Sequence, residues 1–389
     1  MGRTPQIAVS GSVLRWARQQ RGLALEVAAR RSGLADTKLE AIEEGQVSPS
    51  LAQLQKLAEV YKRPLIVLLL DEPPTTFQAL TDYRLLPDTE RNAYTPELHD
   101  EMWRAIVERE TYAELAATLQ RPLAVHDLPH DKGDPEQLAV EIRNLLGVTG
   151  ADHKRFSQKD EAFTFWRSWV EALDVLVLEA SRVRLSEMRG LSLSDGVPLV
   201  IVINGQDEPR GKVFTLLHEL CHLCLGQAGV CDLHTSFNRG SSDVEAYCNF
   251  VAGATLLPKR LVTNMPTVIS HPPGTPWTDS ELLAIRNEAA GASQEAVLRR
   301  LVQLGLASRA EYDHKRDKYL AAYDLFRKRN KNSKGGPPPH RMQLRDRGRP
   351  FVRSVFDAYG EGNLTLSDVT DLVGLRVKHL DRLQREAFK

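Results

Sequence analysis

The chain has 389 residues, more than one hydrophobic core usually organises, so two or three domains are expected. Its hydrophobic fraction of 42% and charged fraction of 26% are ordinary for globular proteins and exclude a wholly disordered chain. Lys plus Arg and Asp plus Glu both number 51, so the formal net charge is zero and any attraction to nucleic acid must come from a local patch.

Two features of the sequence bear on the cellular compartment. Residues 1–10 lack the long apolar core of a secretory signal, and the longest apolar run, residues 65–70, is too short to span a bilayer. A cytoplasmic protein without a membrane partner is therefore expected. In a reducing compartment cysteines are thiols more often than disulfides, and this prediction covers Cys221, Cys224, Cys231 and Cys248.

Residues 13–70 carry apolar side chains at helical spacing in successive short stretches, which predicts a compact all-helical module. Residues that end or turn helices separate these stretches, namely Gly22, Gly33, Gly45 and Pro64. The module resembles the XRE-type helix-turn-helix of phage-repressor-like regulators at Arg18, Gly22, Leu23, Glu26, Gly33, Leu39, Ile42, Glu43, Gly45, Pro49, Leu54, Leu57 and Ala58. The resemblance implies a helix-turn-helix domain over residues 10–72.

The resemblance also implies a recognition helix that begins near Ala35 and presents its first residues to the major groove of DNA. The candidate DNA contacts are Asp36, Thr37, Lys38 and Glu40. Two departures from the pattern weigh against tight binding. Leu25 stands where a polar residue is usual, and one lysine is outnumbered by the carboxylates of Asp36, Glu40, Glu43 and Glu44. DNA binding and docking to a protein are therefore both open for this module.

The next predicted domain, residues 75–325, combines helices with a small sheet and has its core at about residues 160–260. Helical spacing recurs at residues 96–119 and 135–147, and again in an extension over residues 280–325. The stretches LDVLVLEA, MRGLSLSDG and VPLVIVING predict a small antiparallel sheet. The strand over residues 197–203 could pair its edge with an extended substrate or lie inside the sheet.

The most informative motif is H-E-x-x-H within KVFTLLHELCHLCLG, residues 212–226. Side chains four apart share a helix face, so His218 and His222 can present imidazole nitrogens to one ion. Zinc suits this arrangement, since its catalytic sites use three protein ligands and a water. Glu219 would stand beside that water as general base. Packing alone is the weaker interpretation, because burying this glutamate among leucines would be costly without ligation or hydrogen bonding.

A third ligand is expected downstream, on a second helix packed beside the first. In DVEAYCNFVAGATLLP, residues 243–258, Glu245 and Asn249 are four apart and share a helix face. Glu245 would bind the ion, and Asn249 would orient a ligand histidine by accepting a hydrogen bond from its other ring nitrogen. Two alternatives are open: His234 as the third ligand, and Glu245 as a surface carboxylate.

HELCHLCLG followed by EAYCNFVAGATLLP resembles the ImmA/IrrE family of metallo-endopeptidases, whose pattern joins H-E-x-x-H to E-x-x-x-N ahead of a small-residue helix that ends in Pro. The resemblance extends upstream through EMRGLSLSDGVPLVIVING and, more faintly, to TDYRLL at residues 81–86. It implies a zincin-like α+β fold and limited cleavage of a regulatory protein. It also implies one zinc per chain, bound by His218, His222 and Glu245, with Glu219 as the base. The candidates for stabilising the transition state are His234 and Arg189.

Cys221 and Cys224 form a C-x-x-C, which suggests a second zinc site or a redox pair, although on a helix this spacing is more typical of small core residues. Residues 326–350 are basic and rich in Gly and Pro, which indicates a linker. Residues 325–353 hold ten Lys and Arg against one Asp, so a nucleic-acid contact is the alternative. Residues 351–389 predict a small helical region broken at Gly374, and no convincing long internal repeat is visible.

These predictions describe a multi-domain, mostly α-helical protein with a small sheet. The preferred function is a zinc-dependent endopeptidase that regulates by cleaving a transcriptional repressor or a similar regulatory protein. The alternative is a DNA-binding regulator whose zincin-like domain senses a ligand or binds a partner without turnover. Glu219 favours the enzyme, because a purely structural zinc site has no use for a base.

Overall fold

A computed structural model describes the chain over residues 6–73, 95–124, 128–129, 133–149, 159–226, 229–231, 243–289, 291–331 and 336–389. The chain divides into two compact units, Met1–Arg104 and Ala105–Lys389. No helix among these residues is both long and apolar enough to cross a membrane. The mostly helical, multi-domain fold with a small sheet is confirmed.

The first unit contains the predicted helical module. Its helices are α1 (Gly11–Gln19), α2 (Leu25–Ser32), α3 (Asp36–Glu43) and α4 (Leu51–Tyr61), followed by a 3₁₀ helix (Leu65–Leu69). Gly33 ends α2 in the left-handed conformation, with φ of 71°, which a residue without Cβ adopts readily. The core is built from the helix-spaced apolar side chains, including Leu14, Leu39, Ile42 and Leu54.

The inner face of α3 carries a buried ion pair. Glu43 is only 4% exposed and accepts two hydrogen bonds from Arg18, at 2.7 and 2.8 Å. Its negative charge is therefore neutralised inside the unit and is not presented to DNA. The prediction that Glu43 is one of the carboxylates that repel phosphates is wrong. The four candidate DNA contacts, Asp36, Thr37, Lys38 and Glu40, are all exposed.

The helix α5 (Pro96–Thr118) begins in the first unit and ends in the second. In the second unit, α6 (Pro135–Leu145) and α7 (Lys159–Glu171) precede the sheet. Its strands are β1 (Leu176–Ala180), β2 (Gly190–Leu193), β3 (Val200–Asn204) and β4 (Gly229–Cys231), in the order β1-β3-β2-β4.

The sheet is mixed, so the prediction of an antiparallel sheet is wrong for one pair. β3 pairs antiparallel with β2 but parallel with β1, with Leu176 opposite Val200. β1, β2 and β3 are buried along their whole length, as in sheets covered on both faces. Because β3 lies between β1 and β2, its edges are already paired, and the suggestion that residues 197–203 bind a substrate edge is wrong.

Two helices that pack together cover the region of the H-E-x-x-H motif. α8 (Pro209–Cys224) lies against β2, β3 and α7, and α9 (Asp243–Leu256) packs on α8 and α6. Lys212 of α8 donates a 2.7 Å hydrogen bond to buried Glu179 of β1, which fixes the helix on the sheet. The core of the unit is formed by apolar side chains of these elements, including Trp166, Leu216 and Val251.

Further helices complete the second unit. They are α10 (Lys259–Thr263), α11 (Pro266–Ile269), α12 (Asp279–Glu288), α13 (Gln294–Gln303), α14 (Arg309–Lys331), α15 (Pro339–Arg347), α16 (Arg349–Gly360) and α17 (Leu366–Val373), then a 3₁₀ helix (Val377–His379) and α18 (Leu380–Ala387).

The C-terminal helices correct the prediction of a linker over residues 326–350. α14 and α15 occupy much of that stretch, and α15 packs on β1. Pro339 sits in the first turn of α15, where its missing N–H is not needed, so it opens a helix rather than preventing one. Part of the basic charge is also used internally, since Arg347 pairs with buried Glu108 at 2.6 Å.

Candidate metal centre

The centre is built on α8, which is buried almost throughout. Pro209 occupies the first turn, and leucines at helical spacing hold the helix in the core. Consequently the polar residues of the motif are enclosed as well: His218 and Glu219 are 0% exposed and His222 is 5% exposed. Buried polar groups of this kind need partners to offset their desolvation.

The structure brings together the three side chains named as ligands. Nε2 of His218 and Nε2 of His222 lie 3.1 Å apart. From α9, Oε2 of Glu245 is 3.3 Å from the first nitrogen and Oε1 is 3.3 Å from the second. Among the described residues these three form a group whose ligand atoms all lie within 4.8 Å of one another. Such a group can hold one metal ion.

Electrostatics at the centre favour a charged carboxylate beside the imidazoles. Partial burial acts to raise the pKa of Glu245, but hydrogen bonds with His218 and His222 outweigh it and hold that pKa well below its usual range. Burial opposes protonation of His222, yet its contacts with Cys248 and Glu245 raise its pKa to about 10. A metal ion and a proton compete for this imidazole, so metal binding at the centre should weaken as the pH falls.

Glu219 lies on α8 beneath β2. Burial raises the pKa of its carboxyl, against the opposing influence of His218 and His222. Gly190 of β2 makes room for it: a Cβ at that position would collide with Oε1 of Glu219 and come within 2.6 Å of the Thr215 methyl group. Because Gly190 has no side chain, the carboxylate of Glu219 can occupy the space beside β2.

Gly190 was not singled out by the sequence. The sequence feature that could have indicated it is its position inside the strand-forming stretch MRGLSLSDG. A glycine within a strand often marks a place where another group approaches the backbone closely. Cys248, which the crowding of cysteines between residues 221 and 248 had suggested to lie near the centre, contacts both His222 and Cys221. Its presence on α9 one turn beyond Glu245 follows from the helical spacing.

Asn249 has a partner that was not predicted. Its Nδ2 donates a 2.8 Å hydrogen bond to the backbone carbonyl of Glu245. Within the described part of the chain, its buried Oδ1 and the buried Nδ1 of His218 have no hydrogen-bond partner. The two atoms are an acceptor and a potential donor, so their chemistry is compatible with the orienting role expected of Asn249.

Arg189 directly precedes Gly190, which lies against Glu219. Its guanidinium donates a 3.1 Å hydrogen bond to buried Asp207, which precedes α8. The role of Arg189 in stabilising the transition state stays a prediction. The other candidate, His234, lies outside the described residues, as does the stretch over residues 81–86.

Cys221, Cys224 and Cys248 are buried free thiols, as expected for small core residues. Burial raises the pKa of the Cys224 thiol to about 12, so its thiolate, the form that binds metal, is rare at neutral pH. Among the described residues neither Cys221 nor Cys224 belongs to a group of three or more potential ligands, which weakens the interpretation of the C-x-x-C as a second zinc site. The side chain of Cys231 lies outside the described residues.

Comparison with known families agrees with this geometry. Residues 11–67 match the family model of a helix-turn-helix domain. Residues 170–270, which include the three grouped ligands and Glu219, match that of a peptidase family described as the IrrE N-terminal-like domain. No curated protein and no solved structure matches the chain. The chain therefore matches two family models in succession, a helix-turn-helix domain at residues 11–67 and the IrrE N-terminal-like domain of a peptidase family at residues 170–270.

Proposed function

We propose that the protein is a zinc-dependent endopeptidase that acts as a regulator by limited cleavage of a transcriptional repressor or a similar regulatory protein. One observation carries the proposal. Two imidazoles and a carboxylate converge within 3.3 Å of one another, and a fully buried glutamate directly follows the first of these histidines in the helix. Three ligands with an adjacent carboxylate are what hydrolytic zinc sites require.

Zinc fits the distances between neighbouring ligand atoms. Ligand bonds of about 2.0–2.1 Å at tetrahedral angles separate two ligand atoms by roughly 3.3 Å. The two imidazole nitrogens are 3.1 Å apart, and each lies 3.3 Å from a different carboxylate oxygen of Glu245. The ligand set of two histidines and one glutamate is also one that catalytic zinc sites use, and it leaves a fourth position open. Asn249 is proposed to orient His218 through the unpartnered Nδ1 of that ring.

Zinc held there would supply Lewis-acid activation of water and of the peptide carbonyl. The protein's own contribution begins with Glu219, whose carboxylate would accept a proton from the attacking water at an Oε and pass it to the leaving amine. Burial raises the pKa of this carboxyl, which brings its proton affinity closer to that needed at neutral pH. Gly190 of β2 leaves the space that this carboxylate occupies, and the side chain of Ser192, also on β2, contacts it and acts to lower its pKa.

The test is a search for cleaved proteins in cells that produce this chain. Newly formed protein N-termini should appear in one or a few transcriptional repressors when the wild-type chain is present. They should be missing when the gene is deleted and when only the His222→Ala chain is produced. Repressors encoded beside the gene are the first to inspect, followed by cleavage of the purified repressor by the zinc-loaded protein. Identical N-termini in all three strains would favour the non-catalytic regulator instead.

The Gly190→Ala substitution should reduce cleavage while zinc is retained. The added methyl group overlaps Glu219 and lies 2.6 Å from Thr215, so the carboxylate must shift. A displacement of about 1 Å can lower a rate by roughly 10²-fold, and the overpacking itself costs about 1–3 kcal/mol of stability. Cleavage rate and zinc content of the purified variant measure the effect.

Gly253→Ala is the matched control for that substitution. Gly253 is also buried, on α9, but a Cβ there would meet only Gln303, at 3.4 Å. This variant should therefore cleave at the wild-type rate. A Gly190→Ala protein with wild-type activity would show that the close approach to Glu219 is not needed for catalysis.

A further inference from the structure

The three helices at the C-terminus follow the register of the N-terminal helix-turn-helix. When 341 is added to each residue number of the N-terminal segment, Gly33 aligns with Gly374, and the alignment needs no gap. At this shift the end of α1 at Gln19 falls on the end of α16 at Gly360. Likewise α2 (Leu25–Ser32) falls on α17 (Leu366–Val373), so both ends of this helix coincide.

The turn between the second and third helices has the same backbone conformation in the two places. Gly33 has φ 71° and ψ 26°, and Gly374 has φ 66° and ψ 34°. Two residues later, Ala35 (φ −73°, ψ 146°) and Arg376 (φ −70°, ψ 148°) both begin the next helical segment from an extended conformation. A left-handed glycine followed by an extended residue is thus the shared form of the turn.

The buried positions also coincide. Each of five side chains that face the core in the N-terminal unit has a buried counterpart 341 positions later, in the pairs Leu14 and Val355, Ala17 and Ala358, Ala28 and Val369, Leu39 and Leu380, and Ile42 and Leu383. α16 packs against both α17 and α18, and in the N-terminal unit α3 packs against both α1 and α2, so each set of three helices forms one packed group. Both ends of the second helix, the turn and five core positions therefore coincide, while the third segment starts as a 3₁₀ helix at Val377 and α18 ends three residues beyond the position that matches Glu43.

The two units differ in the charge of the segment that would face DNA. Residues 35–45 contain one lysine and four carboxylates, and because Arg18 neutralises buried Glu43, the charge that the segment presents is −2. The corresponding residues 376–386 contain four Lys and Arg and two carboxylates, a net charge of +2. One of those carboxylates, Glu386, is already paired with Arg341 at 3.1 Å. The C-terminal segment is therefore the one suited to a polyanion.

The cations of this segment are available at the surface. Arg376, Lys378 and Arg382 are exposed, and none of them has an acidic partner among the residues that the structure describes. Arg382 and Arg385 also line a surface groove of about 550 Å³, together with Arg341, Lys389 and the paired carboxylate of Glu386. In helix-turn-helix units the beginning of the third helix enters the major groove, and Arg376 and Lys378 stand at that beginning.

We propose that residues 349–389 are a second helix-turn-helix and that its segment 376–386 binds duplex DNA through the phosphate backbone. The proposal is independent of the peptidase activity. It assigns the DNA binding of the whole protein mainly to residues 349–389 rather than to the acidic helix α3. Removing one cation that pairs with a phosphate should lower the salt dependence of binding by about 0.9 in the slope of log K against log salt.

The experiment is a titration of a fluorescent random-sequence DNA duplex with full-length protein at several salt concentrations. The triple variant Arg376→Gln/Lys378→Gln/Arg382→Gln should bind at least about tenfold more weakly and lower the salt slope by up to about 2.7. The three side chains are exposed, so the thermal unfolding midpoint should stay that of the wild type.

The matched control removes the same charge from the N-terminal unit. Arg30→Gln/Arg31→Gln/Lys38→Gln also replaces three exposed cations and should weaken binding by less than about threefold. Equal weakening by the two triple variants would mean that binding reflects diffuse charge, and greater weakening by the control would assign it to α2 and α3. Either result overturns the proposal. So does a wild-type protein that fails to bind duplex DNA at low salt, or that binds phosphatidylserine vesicles in its place.

Discussion

The Glu219→Gln protein should bind zinc as the wild type does and fail to cleave its substrate. Glutamine keeps the size of the buried side chain but cannot accept a proton, so the step assigned to Glu219 is lost while the ligands stay in place. Loss of a general base lowers rates by about 10²–10⁴-fold. Elemental analysis of the purified protein gives the zinc content, and cleavage of the identified substrate gives the rate.

A second carboxylate variant controls for the change in charge. Glu288 is exposed at the end of α12, and Glu288→Gln removes the same charge far from the buried motif in the sequence. This variant should cleave normally. If Glu219→Gln cleaves as fast as Glu288→Gln, then Glu219 is not the base. If Glu219→Gln has lost zinc as well as activity, then Glu219 is needed for zinc binding, and the proposal that it acts only as the base is wrong.

Removing any one of the three proposed ligands should abolish tight zinc binding. We expect about one zinc per wild-type chain and less than about a tenth of that in His218→Ala, His222→Ala or Glu245→Ala, because two remaining ligands hold zinc poorly. Glu245→Gln tests the same point with little change in volume. Zinc should also raise the unfolding temperature of the wild type and leave that of these variants unchanged.

Two further substitutions separate ligands from their neighbours. Asn249→Ala should weaken zinc binding by about 10–100-fold without abolishing it, as loss of an orienting group does. His234→Ala should leave zinc content unchanged. If His234→Ala loses zinc and Glu245→Ala keeps it, the third ligand has been misassigned. Full zinc occupancy after both histidine substitutions, His218→Ala and His222→Ala, would exclude the proposed site altogether.

Much of the centre follows from local sequence. A helix places side chains four apart on one face, so H-E-x-x-H alone predicts that His218 and His222 point the same way. The spacing of Glu245 and Asn249 predicts a second helix with both groups on one face in the same manner. The N-terminal module was equally readable, because its helix-spaced leucines and its glycine turn are local features. The family models agree with both domains.

Other properties depend on contacts between distant segments, which a single sequence does not specify. The approach of Glu245 to within 3.3 Å of both histidines results from the packing of α9 on α8. The parallel pairing of β1 with β3, the closeness of Gly190 to Glu219 and the burial of Glu43 against Arg18 arise in the same way.

The proposed second helix-turn-helix could not be predicted from the sequence for a related reason. Core positions constrain only size and apolarity, so Leu14 and Val355, or Ile42 and Leu383, fill equivalent places without being identical. The sequence by itself therefore determined which residues could form helices and share a face. The tertiary structure decided which faces meet and which charges are buried, because packing and desolvation energies depend on neighbours that are distant in the chain.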